Sequence, residues 1–134
     1  MSFFKINISP RYSETDQMGI IHHSNYLIYM EQARLAWLSS LGFSYEKMEK
    51  EGILLPVYKI DIVYKKPIKF DDVISVKVRL KALPTARVVF EYEIVNNCDV
   101  ICATCDLTLV FTDAHTFRPR KPIPEFVEAC QRLF

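Results

Sequence analysis

The sequence predicts an α+β fold in which a curved antiparallel sheet wraps around one long central helix, and three observations lead there. Residues 25–41 repeat apolar side chains at steps of three and four. From residue 58 onward, apolar and polar residues alternate for most of the chain. The later alternating runs are separated by only a few residues. The first pattern gives a helix with one apolar stripe and the second gives half-buried strands. The third gives antiparallel hairpins, because a parallel crossover needs about a dozen residues or more. A striped helix must cover a sheet face, so the strands curve around it.

Taken in order, a first strand is expected over residues 5–12. Ser24 then stands where an N-cap would, directly before the periodic run. In that run Tyr26, Met30, Ala33, Trp37 and Leu41 form the stripe of a helix roughly 25 Å long, flanked by Leu27, Arg34 and Leu38. Gly42 follows as a C-terminal stop. A short helical patch covers residues 45–50. Tyr58, Ile60, Ile62 and Tyr64 share one face of the next strand. Ile74, Val76, Val78 and Leu80 share a face of the one after, with Ser75, Lys77, Arg79 and Lys81 opposed. A further strand carries Val88, Phe90, Tyr92 and Ile94 against Glu91 and Glu93, and the last carries Ile101, Ala103, Cys105, Leu107, Leu109 and Phe111. Leu83-Pro84-Thr85-Ala86 and Asn96-Asn97-Cys98-Asp99 make the short connections of a meander. Residues 125–134 suggest a terminal helix.

The 134 residues hold no Gly/Ser/Pro-rich divider, so residues 1–134 are read as a single domain. Half the residues are apolar, with nine Phe, seven Tyr and one Trp, which is ample material for a packed core. A net charge of +1 gives no overall field for nucleic acid or an anionic membrane, so any anionic ligand is held locally. The first ten residues lack the apolar run of a signal peptide and no later stretch is long enough to cross a bilayer, so a cytoplasmic location is expected. Cys102 and Cys105 form a C-x-x-C pair, but residues three apart on a strand face opposite ways. They are read as free, mostly buried thiols rather than as a metal or redox site.

Polar groups cluster for no packing reason in one segment, residues 11–26, between the first strand and the long helix. The first N–H groups of a helix lack partners and carry partial positive charge, which suits a carbonyl oxygen or oxyanion. An acid just upstream is then placed to attack the polarised carbonyl or to activate water. Gly19 lets the loop fold tightly enough to bring the two together. Glu14 is expected on the same side as Asp16 if the strand continues, as a surface acid. His22 and His23 serve either in acid-base chemistry or as ordinary loop residues, and no ligand set for a metal surrounds them.

The pattern Thr15-Asp16-x-Met18-Gly19-x-x-His22-His23-Ser24-Asn25-Tyr26, followed by Glu31-x-Ala33-Arg34 and by Tyr64-x-x-Pro67-x-x-x-Asp71-Asp72, resembles the hotdog-fold thioesterases of the 4-hydroxybenzoyl-CoA thioesterase family. The likeness is to their Tol-Pal-associated acyl-CoA thioesterase branch. It implies hydrolysis of an acyl-CoA, or of a thioester on an acyl carrier protein; the sequence itself lacks a ligand set for a catalytic ion, so no metal or organic cofactor is expected. It makes Asp16 the nucleophile or general base and the backbone N–H of His23 the group that polarises the carbonyl. Gly19, His22 and Tyr26 then lie against the substrate. The resemblance also implies a homodimer joined edge to edge through its sheets, with each site at the interface, or a homotetramer built from it. For the CoA phosphates, Lys65, Lys66, Arg87 and the run Arg118-Pro-Arg120-Lys121 are candidates, though each also reads as a solvated surface charge. Two other functions compete. A hotdog hydratase or dehydratase would place Asp-x-Asn-Pro before a histidine five residues after the Asp, which this sequence does not. A non-catalytic acyl-carrier or protein-binding module would have no need of Asp16, Gly19 and the helix start together.

Overall fold

A computed structural model describes residues 2–134. The elements are β1 (Phe4–Ile8), α1 (Ser24–Ser40), α2 (Tyr45–Lys50), β2 (Ile53–Leu54), β3 (Val57–Tyr64), β4 (Ile74–Leu80), β5 (Arg87–Val95), β6 (Ile101–Val110), β7 (Thr112–Asp113) and α3 (Pro124–Gln131). Five strands form one antiparallel sheet in the order β1-β4-β5-β6-β3, and β2 pairs with β7 apart from it. The fold is α+β, as the periodicities require.

The hairpins β4–β5 and β5–β6 fall where the short connections place them. The meander does not extend to β3. That strand pairs with β6 at the far edge, and β1 takes the place beside β4. Residues 65–73 are too long for a tight hairpin and carry the chain from the β3 edge across to β4, next to the opposite edge strand β1. As an edge strand β3 is open on both faces, so Tyr58 is 62% and Val63 50% exposed despite the apolar alternation.

The sheet's inner face and α1 make the core. β4 alternates strictly between buried and half-buried residues, and α1 buries Tyr26, Tyr29, Met30, Ala33, Arg34, Trp37 and Leu38. Each large apolar side chain so buried stabilises the fold by roughly 1.5–3 kcal/mol. Trp37 meets Phe90 of β5 edge-on at 5.2 Å, and Phe126 of α3 contacts Trp37, Phe43 and Phe111. The terminal helix is thus docked through Phe126, with Ala129 and Cys130 buried on the same element. Arg34 is buried beneath the sheet, donating from Nε to the Tyr45 hydroxyl (2.9 Å) and from its guanidinium to the Tyr92 hydroxyl (3.1 Å). A buried cation so held ties α1 to α2 and β5.

The helix begins one residue earlier than its periodicity indicates. Ser24 is its first residue rather than its cap, and the N-cap position belongs to His23. At the other end Gly42 has φ +86, its N–H donates to the Ser39 carbonyl, and the Phe43 N–H reaches the Leu38 carbonyl. This pair of bonds closes the helix and requires a residue comfortable in left-handed backbone. On β6 the expected face is broken at one point: the register slips between Ile94 and Val95, so Cys102 bulges. Cys102 and Ala103 are both buried and Ile101 is 38% exposed. Cys98 is exposed, and Cys102, Cys105 and Cys130 are buried free thiols. Among the described residues no helix is long and apolar enough to cross a membrane.

Candidate active site

The segment between β1 and α1 is a folded loop, not a continued strand. β1 stops at Ile8, and after Pro10 residues Tyr12–Glu14 form a single 3-10 turn. That turn points Glu14 inward, which corrects its expected place on the surface beside Asp16. Its carboxylate is 8% exposed and accepts the Arg11 N–H (2.8 Å), the Tyr29 hydroxyl (2.8 Å) and the Arg11 guanidinium (3.4 Å). Burial pushes this carboxyl up, but the Arg11 N–H, the Tyr29 hydroxyl and the Arg11 charge outweigh it and leave it below the ordinary value.

The chain then doubles back. Thr15 bridges Ile21, and the Asp16 N–H donates to the Ile20 carbonyl at 2.8 Å. Gly19, at φ +74, closes the reversal. One oxygen of Asp16, Oδ1, accepts the N–H groups of Met18 (2.8 Å) and Ile20 (3.3 Å), which fixes the carboxylate's direction. Oδ2 has no hydrogen-bond partner among the described residues. On its return the chain is pinned to its neighbours by Ile21 N–H to the Ile68 carbonyl (2.8 Å) and His22 N–H to the Glu14 carbonyl (2.9 Å).

The N–H groups at the start of α1 differ in one respect. That of His22 is bound to Glu14, that of Ser24 to His22 Nδ1 (3.2 Å), that of Asn25 to the His22 carbonyl (3.0 Å) and that of Tyr26 to the His23 carbonyl (3.2 Å). The His23 N–H alone in this run has no partner among the described residues. It sits at the positive end of a 17-residue helix, where an incoming oxygen gains both a hydrogen bond and a favourable dipole.

Asp16 and His23 line one cleft of about 350 Å³. Ile21, Tyr26, Tyr64 and Pro67 give it an apolar wall, and Lys65 and Lys66 give it positive charge. The Tyr26 and Tyr64 rings meet edge-on at 5.0 Å, and the Tyr64 hydroxyl donates to the His23 carbonyl at 3.3 Å. Burial raises the Tyr26 phenol, so this wall stays neutral. The lysines are set by the β6 bulge, where the Cys102 carbonyl accepts both the Lys65 and Lys66 N–H groups.

The structure thus brings Asp16, His23 and Tyr26 together. Gly19 lies in the turn behind Asp16, and the His22 ring is engaged with Ser24 Oγ at 2.8 Å; neither is part of the cleft wall. Of the candidate cations only Lys65 and Lys66 line the cleft. Arg87 stacks on Tyr58 and Arg120 donates to the Lys121 carbonyl. Tyr64, Pro67 and Ile21 join the site beyond the residues the sequence marks for it, and for Tyr64 and Pro67 the signal is their place in the third sequence motif. Among the described residues no three His, Cys, Asp or Glu side chains come together as a metal site would require. Asp16, with one free carboxylate oxygen, and His23, with an unpaired backbone N–H, line the same cleft, and such a pair can attack a carbonyl or activate water while the N–H takes up the developing negative charge.

Known proteins share this arrangement of chain. The profile of the thioesterase-like superfamily matches residues 10–130. YneP of Bacillus subtilis (strain 168) is 36% identical over 135 residues, covering 98% of each chain. The acyl-CoA thioester hydrolase YbgC of Escherichia coli O157:H7 is 24% identical over 119 residues, 89% of each. The crystal structure of a DHNA-CoA thioesterase from Staphylococcus aureus superposes with a TM-score of 0.92 at 37% identity, covering 99% of this chain and 91% of that one.

Proposed function

Because this chain belongs to the thioesterase-like superfamily, we propose that it is an acyl-CoA thioesterase in which Asp16 performs the chemistry and the His23 N–H polarises the thioester carbonyl. The observation that carries the assignment is that Asp16, whose Oδ2 has no partner among the described residues, and His23, whose N–H alone among residues 22–26 has none there, line one cleft. The thioester oxygen accepts from His23 while Asp16 either adds to the carbonyl carbon or takes a proton from the water that does. The tetrahedral oxyanion is held by the same N–H, and its collapse expels the CoA thiolate, which takes the proton Asp16 received from water, or one from solvent where Asp16 is the nucleophile. In the nucleophilic variant a mixed anhydride forms and water then cleaves it. Asp16 and the helix start supply the base and the donor themselves, so the reaction requires no cofactor or metal.

The positive charge of Lys65 and Lys66 at the cleft supports CoA, with its phosphates, as the leaving thiol. An acyl carrier protein, whose prosthetic arm carries one phosphate, is the second donor of the same chemistry. Gly19 acts on the substrate through the Asp16 turn it shapes, and His22 through the start of α1, where its ring holds the Ser24 hydroxyl.

The sheet is read as the curved hotdog sheet wrapped on α1. Its β3 edge presents unpaired backbone beside exposed Val57, Tyr58, Ile60, Val63 and Tyr64, and an apolar open edge of this kind is a template for a second strand. We assign it to a homodimer, with a homotetramer as its doubling, acting in the cytoplasm where acyl-CoA is made and used. Thiol release from a panel of short, long, branched and aromatic acyl-CoA and acyl-carrier-protein thioesters tests the activity. Turnover of at least one is expected, and release from none of them overturns the proposal.

A further inference from the structure

The Asn25 side chain joins the two halves of the site. Its Nδ2 lies 3.0 Å from the Glu14 carbonyl oxygen and 3.3 Å from the His22 carbonyl oxygen. Both neighbours are acceptors, so only the amide nitrogen, with its two hydrogens, can face them. The same two carbonyls also accept backbone donors: Glu14 takes the His22 N–H at 2.9 Å, and His22 takes the Asn25 N–H at 3.0 Å. Each oxygen therefore has two donors, one of them from the Asn25 side chain.

The consequence lies in the next bond of the chain. In a planar trans peptide the carbonyl and the N–H point in opposite directions. Holding the His22 carbonyl against Asn25 therefore turns the His23 N–H away from the body of the helix, at a residue that lines the cleft. The bond to Glu14 fixes the same unit to the backbone two residues ahead of Asp16. We propose that Asn25 is a positioning residue for thioester hydrolysis, setting the His23 N–H and the Asp16 turn in one frame. This inference rests on the roles given to Asp16 and His23 above.

An N-terminal brace of purely structural use would change stability and leave the balance of kcat and KM alone. A positioning residue acts in the transition state, where a small misplacement of the donor is most costly. Asn25→Ala removes both side-chain bonds. Asn25→Asp keeps the shape but turns a carboxylate toward two carbonyl oxygens. With the best thioester of the panel as substrate, both variants are expected to lose roughly 10- to 100-fold in kcat with KM within about threefold, less than the loss of a whole oxyanion donor. Asp16→Asn is assayed alongside. If Asp16→Asn is slowed and both Asn25 variants keep kcat within about threefold of the parent, the positioning role is overturned and the thioesterase assignment stands. If Asp16→Asn is as fast as the parent, it is the assignment of Asp16 that falls. Should the variants fail to fold, amide exchange of the parent decides. The Asn25 side-chain NH₂ and the His22 N–H are expected to be protected together, and exchange of both at the rate of a free chain overturns the clamp.

Discussion

The Glu14 carboxylate accepts the Tyr29 hydroxyl at 2.8 Å, and this bond fastens the loop that carries Asp16 to the second turn of α1. Tyr29 is 1% exposed, and its hydroxyl donates its hydrogen to the carboxylate. Tyr29→Phe is expected to lower stability by about 1–2 kcal/mol, as for a hydrogen bond to a charged group that retains other donors. Urea denaturation checks it, and an unchanged midpoint contradicts it.

The same pair gives a pH dependence of known sign. Glu14 is held below its ordinary value of 4.5 in the folded protein, so its ionised form contributes stability that is fully present above that value. The contribution fades as pH falls through the lower folded value. Thermal unfolding from pH 6 downward is therefore expected to fall less steeply for Glu14→Gln than for the parent below about pH 4.5. Parallel curves across that window would show that the carboxylate is not the group being protonated.

Gly19 sits at φ +74 with nothing within 4 Å of where a Cβ would stand. The cost of Gly19→Ala is then conformational alone, about 1–2 kcal/mol for left-handed backbone. Relief of that strain would shift the turn that aims Asp16, so kcat is expected to fall more than thermal stability. A variant losing stability with unchanged turnover would separate the turn from the chemistry.

The open β3 edge predicts a homodimer or homotetramer at micromolar concentration. Val63, 50% exposed in the single chain, is the probe position. Val63→Lys places a charge on the edge, as natural sheets do to keep edges apart. Light scattering is expected to show dissociation of the variant with loss of activity. A parent of strictly monomeric mass and full activity would contradict the assembly.

Much of this architecture is legible in the residues because local patterns determine it. The stripe from Tyr26 to Trp37 gives α1, Gly42 gives its end, and the two short connections give the β4–β5–β6 meander. What local pattern does not carry is pairing over distance. Nothing in residues 57–64 says that they lie beside β6 rather than β4, and two-residue strands such as β2 and β7 are too short for any period. The inward place of Glu14 is hidden from local pattern for the same reason. Its inward turn depends on Tyr29, fifteen residues on, and on a 3-10 turn that one Pro barely signals. At the site, the motif around Asp16 marks the loop, yet Lys65 and Lys66 differ from Arg87 or Arg118 only through the Cys102 bulge that presents them.

The central claim is that the Asp16 carboxylate acts in the transition state, and Asp16→Asn tests it most directly. The amide keeps the shape of the side chain and its carbonyl can still accept the Met18 N–H, while the charge and the basic oxygen are gone. Steady-state hydrolysis of the preferred acyl-CoA is expected to slow by roughly 10²- to 10⁴-fold in kcat, with KM nearly unchanged because the His23 N–H and the cleft wall remain. An Asp16→Asn enzyme that turns over within about threefold of the parent would contradict the account.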